Sequence, residues 1–583
     1  MIAAATGRPV AMGTFLNYRR WIRENEPDAA ACERDAARWA DAPASPCVTI
    51  VMPCYNSRAD HLESAVSSVL AQTYPHWELI LVADDSEGAP VSELLARQEE
   101  RDPRIQSVVT GRTGGISAAT NAGARAGHGP IIAFLDHDDR LHRFALSWIV
   151  DAFGSHASAQ FVFTDEDKLD ASGRRCDPYF KPGFNRALLY SRNYVNHAVA
   201  IRRPAFERAG GLDPALDGAQ DHDLLLRVLE REGAGAFHHI PRIAYHWRVS
   251  PDRSSFSESQ HERSWNAGRD ALLEHIQRTG MPVRDVVSAH GAGFRFRFPD
   301  GISPGEVSII VATRDRGDLL QACLADFVSR PDLGGVEIVV VDNGSRDPDT
   351  LSWLDQMTER HPGFRVVRDE GDFNYSRLVN RGVSESHGAV LLLLNNDVLD
   401  GNPGWLDELV GWARLAWVGC AGAALHYPDG SLQHGGIVLG PGGGAGHYER
   451  GAAAGQAGMF GHLRLARSVT AVTAACLALR REVFDAVDGF DEVAFPTSFS
   501  DVDFCLRVGE AGYENVWTPH ARLTHLEGAS RGREGGASVP VSYRCAMDEL
   551  AARWGHRIER DPFVNENLDA SSESVRLRRS ATR

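Results

Sequence analysis

Three carboxylates end the apolar run Ile131-Ile132-Ala133-Phe134-Leu135-Asp136-His137-Asp138-Asp139. Five apolar residues in a row predict a buried strand of a parallel sheet. The acidic cluster then stands at the strand's carboxyl end, where open α/β sheets bind ligands. Clustered carboxylates repel one another unless a cation joins them. Asp136 and Asp138 are hard oxygen ligands of the kind Mg²⁺ or Mn²⁺ accepts, commonly beside substrate phosphates. An acidic turn after a strand is the plainer reading of the same residues. A second acidic group, Gln220-Asp221-His222-Asp223, opens a helical segment ending at Arg227 and Val228. One aspartate there suits the helix dipole; a spare carboxylate facing the site could act as a general base. Glu78–Ser86 is a further strand ending in carboxylates, Asp84 and Asp85. These can accept hydrogen bonds from a base or ribose, or cap the next helix.

The elements that must position these groups alternate. Strands are expected at 48–52, 78–83 and 131–135, with helices over 61–73 and 92–100 and a Gly/Ala-rich stretch over 114–127. Such alternation implies a parallel sheet with right-handed crossovers. The pattern occurs twice. Val48 and Val307, Glu78 and Glu337, Asn121 and Asn380, and Asp138 and Asp397 are each 259 residues apart. The copies differ at the acidic turn: Leu135-Asp136-His137-Asp138 becomes Leu394-Asn395-Asn396-Asp397. Asn395 offers only a neutral carbonyl oxygen, so metal should bind more weakly there. Asp221 and Asp223 match Asp501 and Asp503 at a spacing of 280, so the second copy has gained 21 residues before this motif. Gly435–Gly446 falls in that gain and is expected to be a mobile glycine-rich loop, either shaping substrate entry or merely flexible. A histidine follows each acidic helix, His246 and His525, and such a repeat favours a ligand of metal or phosphate.

Length and composition set the bounds. A chain of 583 residues suggests three or four domain-sized units. The net charge of −17 argues against a general nucleic-acid binder. Nine scattered cysteines show neither a disulfide framework nor a zinc spacing, which suits a reducing cytoplasmic compartment. No signal peptide is visible and no apolar run is long enough to span a membrane. Residues 1–46 should hold a short amphipathic helix around Thr14–Ile22. Residues 251–305 join the copies, with a helix over 262–279 and a strand at Phe294–Phe298. A helix over 541–558 should bury Leu550 and Trp554. The tail with Arg576, Arg578, Arg579 and Arg583 is expected to be solvated and disordered; contact with anionic lipid is the alternative. No Gly-x-Gly-x-x-Gly follows either first strand, which disfavours an NAD-type oxidoreductase.

Together Val51–Asn56, Val82–Ser86, Asn121–Gly123, Leu135–Asp139, Gln220–Asp223 and Tyr245–Arg248 resemble family 2 of the inverting, nucleotide-sugar-dependent glycosyltransferases. The second copy resembles the Asn-Asn-Asp branch, typified by bacterial rhamnosyl- and galactosyltransferases of cell-surface polysaccharides. Thr164–Lys168, Phe180–Pro182, Tyr427–Gly430 and Gln433–Gly436 are further family-like stretches. The resemblance covers about 47–250 and 306–530. It implies an α/β protein with two tandem GT-A domains, Rossmann-like and mostly parallel, with helical extensions at 1–46 and 531–583. It also implies roles. Pro53, Tyr55, Asn56, Asp84, Asp85, Asn121 and Asp136 would bind the nucleotide sugar in the first domain. Thr313, Arg314, Asp342, Asn380, Asn395 and Asn396 would do so in the second. Asp136, Asp138 and His246, and Asp397 and His525, would hold Mn²⁺ or Mg²⁺. Asp221 and Asp501 would be the catalytic bases. Gln220 departs from the glutamate that often precedes the base, and Asn395 puts metal use in the second copy in doubt.

The chemistry suits these parts. A cation stabilises charge developing on the diphosphate leaving group, and one carboxylate takes the proton of the acceptor hydroxyl. The expectation is a bifunctional enzyme moving sugars from dTDP-, UDP- or GDP-sugars to a glycan or lipid-linked glycan of a bacterial surface polysaccharide, O-antigen-like. It would work in the cytoplasm or peripherally at the inner face of the plasma membrane. Two alternatives remain: a second domain that only binds or positions the acceptor, and a non-catalytic glycan-binding scaffold.

Overall fold

The structure is a computed structural model. It describes residues 12–42, 45–83, 90–110, 114–249, 256–289, 291–330, 333–399, 401–528, 541–569, 571 and 576–578. In the first repeat the strands are β1 (Val48–Cys54), β2 (Trp77–Ala83), β3 (Ile105–Val109), β4 (Ile131–Phe134), β5 (Arg140–Leu141), β6 (Phe161–Leu169), β7 (Arg175–Tyr179), β8 (Val199–Arg202) and β9 (Phe237–Arg248). Their order in the sheet is β3-β2-β1-β4-β8-β6-β9-β5, with β7 added beside β6. β3, β2, β1 and β4 are parallel, and β8 then enters antiparallel. β1 and β2 are buried almost throughout because helices cover both faces. The second repeat has the same order, from Phe364–Arg368 through Glu337–Asp342, Val307–Thr313 and Val390–Leu394 to Glu514–His525 and Val398–Leu399.

The repeated motifs have structural work that spacing alone did not show. Thr49 donates to Glu78 at 2.6 Å and Ser308 to Glu337 at 2.6 Å. Each glutamate then accepts the N–H of the residue ending the next crossover, His128 or His387. Gly123 and Gly382 let their helices lie close on the sheet. A Cβ at Gly123 would stand 2.6 Å from Val51, and one at Gly382 2.4 Å from Ile310.

Several expectations change. The N-terminal extension holds two helices, Met12–Asn25 and Ala29–Ala40. The glycine-rich stretch is not a loose loop: Ile437–Leu439 pairs with Ala445–His447, and Ile437, Val438 and Leu439 are buried. The basic tail is partly ordered, since Arg576–Leu577 pairs with Leu568–Asp569; Arg579 and Arg583 lie outside the described residues. The joining segment forms helix Phe256–Thr279 and a hairpin of Asp285–Ser288 with Phe294–Arg297. Helix Val541–Ile558 buries Leu550 and Trp554 as expected. Among the described residues no helix is long and apolar enough to cross a membrane.

The two repeats share one core. The Tyr190 ring of the first packs tilted, 5.3 Å from Phe296 in the hairpin, and edge-on, 5.9 Å from Trp417 in the second. Asn185 exchanges two 2.8 Å hydrogen bonds with the Ser468 backbone, and Ser191 donates to Ala466. The C-terminal segment straps both: Asn565 donates to Asp165, and Asp561 accepts from Leu439 N–H.

Candidate active site

At the carboxyl end of β4 the acidic turn is pinned from β9. The Tyr245 hydroxyl donates to Asp139 at 2.7 Å and accepts from Asp136 N–H at 3.3 Å. Arg248 N–H donates to Asp139 at 2.6 Å. Asp139 is thereby fully buried and spent on the turn. Asp136 and Asp138 instead line a cavity of about 960 Å³. Burial lifts the Asp136 carboxyl above its ordinary value; His197 opposes this, while Asp138 and Asp221 add to it.

Asp221 and Asp223 begin helix Gln220–Glu232, and the structure separates them. Asp223 is 1% exposed and accepts from Arg227, whose guanidinium also reaches the Ala209 carbonyl. Asp221 lines the same cavity as Asp136 and Asp138 and accepts from Asn193 at 2.8 Å. The second domain repeats this: Asp503 is 0% exposed and accepts from Arg507, while Asp501 accepts from the N–H groups of Ala474 and Val502. Burial raises the Asp501 carboxyl, against the hydrogen bonds it receives. A carboxyl raised in this way holds a proton more readily, as a base requires.

The two histidines do not match. His246 faces away from Asp136 and Asp138; its Nδ1 lies 2.6 Å from Asp167, which also accepts from Arg175 and Tyr18. His525 does reach the acidic turn, with Nε2 3.1 Å from Asp397 and Nδ1 2.7 Å from Gln433. Strand register gives the reason. His246 stands opposite Asp167 and Arg140, but Thr524, not His525, stands opposite the counterparts His426 and Leu399. A shift of one residue moves a side chain to the other face of a strand. His525 therefore takes the place of Trp247, which lines the first cavity.

Other expected site residues are placed as follows. Pro53 borders a smaller pocket of about 120 Å³ with Asp136 and Asp221. Tyr55 is 51% exposed beyond β1, and Asn56 has a left-handed φ of 47°. Asp84 and Asp85 lie outside the described residues. Asn121 and Asn380 are not free for a donor. Asn121 donates to Leu212 O and accepts from Leu212 N–H, and Asn380 does the same with Phe490. Both amides clamp the loop leading to the acidic helix. Asp342 is fully buried and held by Ser345 and Arg368. Asn396 donates to Thr313 at 3.1 Å. Arg314 is exposed, 4.0 Å from Asp315. The Asn395 backbone bonds to Ala475 and Cys323.

Sequence reasoning missed a buried charge chain. Lys181, 0% exposed, donates to the carbonyls of Val195 and His197 and to Glu166 at 3.2 Å. Burial works against the Glu166 carboxylate, yet Lys181 and then His197 hold it down at about 2. His197 lies 3.6 Å from Asp136 and 3.7 Å from Glu166. Burial opposes its charged form, but the two carboxylates outweigh it and raise the imidazole to about 9. The signal was present in Thr164–Lys168 and Phe180–Pro182, family-like stretches to which no role had been given.

The comparisons with known proteins now bear on this geometry. The family model described as "Glycosyl transferase family 2" matches residues 49–210 and 308–487, more than half of the chain. The chain belongs to this family. Its two sheets are GT-A domains in tandem. The uncharacterized protein y4gI of Sinorhizobium fredii is 41% identical over 95% of this chain and 61% of its own length. The O-antigen biosynthesis protein RfbC of Myxococcus xanthus is 34% identical over 97% of this chain and 44% of its own. An N-acetylglucosaminyl-diphospho-decaprenol L-rhamnosyltransferase of Mycobacterium tuberculosis is 28% identical over 42% of this chain and 84% of its own. The chain thus spans about half the length of the first two relatives.

Proposed function

We propose that this family 2 glycosyltransferase has a working inverting site in each domain and extends a bacterial surface polysaccharide, O-antigen-like, from nucleotide-diphosphate sugars. One observation carries the reading: in each domain the helix-opening pair splits, its second aspartate pairing with arginine, while Asp221 lines the cavity of Asp136 and Asp138 and Asp501 accepts from Ala474 N–H, next to the Ala475 carbonyl that holds Asn395 of the second turn. Asp221 and Asp501 take the proton of the acceptor hydroxyl as its oxygen bonds to the anomeric carbon. The bond from that carbon to the diphosphate breaks on the opposite face, so the configuration inverts.

Asp136 and Asp138 fit a divalent ion. They line one cavity, and burial lifts the Asp136 carboxyl although His197 opposes it, with Asp138 and Asp221 adding to the lift. Two carboxylates plus substrate phosphates are a common setting for Mg²⁺ or Mn²⁺. Among the described residues no group of three His, Cys, Asp or Glu side chains forms a metal site by itself, so the donor's own oxygens would complete the shell. Such an ion supplies charge stabilisation on the departing diphosphate. His197 places a protein cation beside the same carboxylates. In the second domain Asp397 and His525 would share that task. Donors are dTDP-, UDP- or GDP-sugars and the acceptor is a glycan or lipid-linked glycan, met in the cytoplasm or at the inner membrane face. RfbC supports the polysaccharide assignment by its name.

A second reading has a specific basis. Asp342 is engaged by Arg368 and Ser345, and Asp397 by His525, which favours a second domain that positions the acceptor without turning over. Transfer from a panel of nucleotide sugars, by wild type, Asp221→Asn and Asp501→Asn, separates the two. Two donors, each lost in a different variant, are expected. Loss with Asp221→Asn alone selects the second reading, and full activity in both variants refutes the base assignment.

A further inference from the structure

We propose that the acceptor groove of the first site is completed by the second domain, whose Phe460 and Arg464 bind a saccharide bearing an anionic group. This rests on the reading of the first domain as a transferase and adds where its acceptor lies. The main cavity continues past Trp247, Arg192 and Glu166 into a trough of about 360 Å³. Tyr179 of β7 and the turn Gly458–Arg464 line it together, and the turn falls in the stretch where the second repeat has its additional residues.

That turn is built to stand there. Phe460 holds a left-handed φ of 56°, and Gly458 and Gly461 are also at positive φ. Non-glycine residues in that region persist where surrounding contacts over-determine them, and such strain gathers at ligand clamps. Phe460 is fixed by the first domain: its ring packs 4.8 Å from Tyr179, and its carbonyl accepts from Arg192 at 3.0 Å. From the second domain, Glu449 accepts Met459 N–H at 2.6 Å. The domains are joined where Asn185 bonds to Ser468 and Arg186 pairs with Glu514.

The lining indicates the ligand class. Trp247, Tyr179 and Phe460 offer aromatic faces of the kind on which sugar rings pack. The trough's acids are already paired, Glu166 with Lys181 and Asp177 with Lys168. Arg192 and Arg464 have no carboxylate partner among the described residues; Arg192 bonds to Phe460 O and Tyr179, and Arg464 to Gly455 O. Guanidinium groups left with neutral partners suit a phosphate or carboxylate.

The test uses the full chain and isothermal titration with three probes: nonyl N-acetylglucosaminide, its nonyl-diphosphate-linked analogue, and nonyl glucuronide. At least one anionic probe should bind about ten-fold tighter than the neutral glycoside. Whichever anionic probe binds identifies the anion as phosphate or carboxylate. Phe460→Ala and Arg464→Ala should each lose about ten-fold, and Arg464→Lys should recover part. Asp138→Ala, which alters the donor side, should bind the probes as wild type does. Binding of none of the probes, equal binding of all three, unchanged binding in both variants, or loss with Asp138→Ala overturns the proposal. If Phe460→Ala fails to fold, Arg464→Ala decides, since the hydrogen bond of its side chain among the described residues is to the Gly455 carbonyl. If probe binding ignores these residues while Asp221→Asn still abolishes transfer, the groove fails and the transferase reading stands.

Discussion

Asp501 and Asp503 are two residues apart, and replacing them should have opposite consequences. Asp503 accepts from Arg507 at 2.8 Å, from Arg553 at 3.0 Å and from Trp554 at 2.9 Å, with no solvent exposure. Asp503→Ala leaves the Arg507 guanidinium on the Val487 carbonyl without a carboxylate. Breaking a buried pair by removing one partner costs about 3–5 kcal/mol. In a domain of this size about 2–4 °C of melting temperature goes with each kcal/mol, so a fall of roughly 6–20 °C is expected. Asp501→Asn is nearly isosteric. It can keep the bond from Val502 N–H and weakens that from Ala474 N–H, at a cost of about 1 kcal/mol or less. Losing a buried charge partly offsets that. Its effect should fall on rate: removing a general base costs about 10²–10⁴-fold, or roughly 3–5 kcal/mol of barrier. Scanning calorimetry and transfer from the second donor read the two effects separately. If Asp501→Asn melts as low as Asp503→Ala, or if Asp503→Ala keeps its melting temperature while losing transfer, the division of labour is wrong.

Four further outcomes follow from the same geometry. His525→Asn should raise the second donor's KM about ten-fold, whereas His246→Asn should leave the first donor's KM within two-fold and lower the melting temperature by loosening Asp167; steady-state kinetics and calorimetry check both. Asn121→Ala should cost about 1–3 kcal/mol by stranding the Leu212 backbone, with donor affinity by titration unchanged. Because burial raises the Asp501 carboxyl in the folded chain, the folded state keeps that proton longer than the unfolded one. Stability relative to Asp501→Asn should therefore fall as pH rises from the ordinary aspartate value, about 3.9, through the raised value, as denaturant titrations across that range would show. Chelation with EDTA should reduce first-donor transfer at least about 100-fold, with recovery on adding Mn²⁺ or Mg²⁺; transfer indifferent to chelation would leave His197 as the cation there.

The repeat was legible because four motifs shared one spacing, and the sheet order follows from strand and helix alternation around them. What each motif residue touches was less legible. Asn121 reads as a polar group near a ligand site, but its partner, Leu212, lies far along the chain. The histidines were aligned by their distance from the acidic helix, and that distance is blind to strand register. Between Thr164 and Glu166, β6 advances two residues while its partner β9 advances from Ile240 to Tyr245. The second domain makes the same net advance at the matching place, from Thr518 to Leu523 as its strand passes from Ala423 to Leu425, so Thr524 holds the position of His246 and His525 that of Trp247. The register that results, not the residue type, decides which histidine meets a carboxylate. The trough between the domains was out of reach for a related reason: Tyr179 and Phe460 meet only because Asn185 and Ser468 dock two separately patterned sheets.

The acidic pairs show how one spacing serves two ends. Asp136 and Asp138 are separated by one residue after a strand, and so are Asp221 and Asp223 on a helix. Asp136 and Asp138 sit on a turn closed by Asp139 N–H on the Asp136 carbonyl, and both line one cavity. On a helix of 3.6 residues per turn, residues two apart point about 200° from one another. Asp221 turned toward the cavity therefore requires Asp223 to turn into the core, where only pairing with a cation makes a buried carboxylate tolerable. Arg227, four residues on, lies on the same helical face as Asp223 and supplies it. The same requirement explains Arg507 beside Asp503. A helix that presents a lone carboxylate to a site through this spacing must carry a second acid and its arginine, and the motif's arginine is the structural cost of aiming its first aspartate.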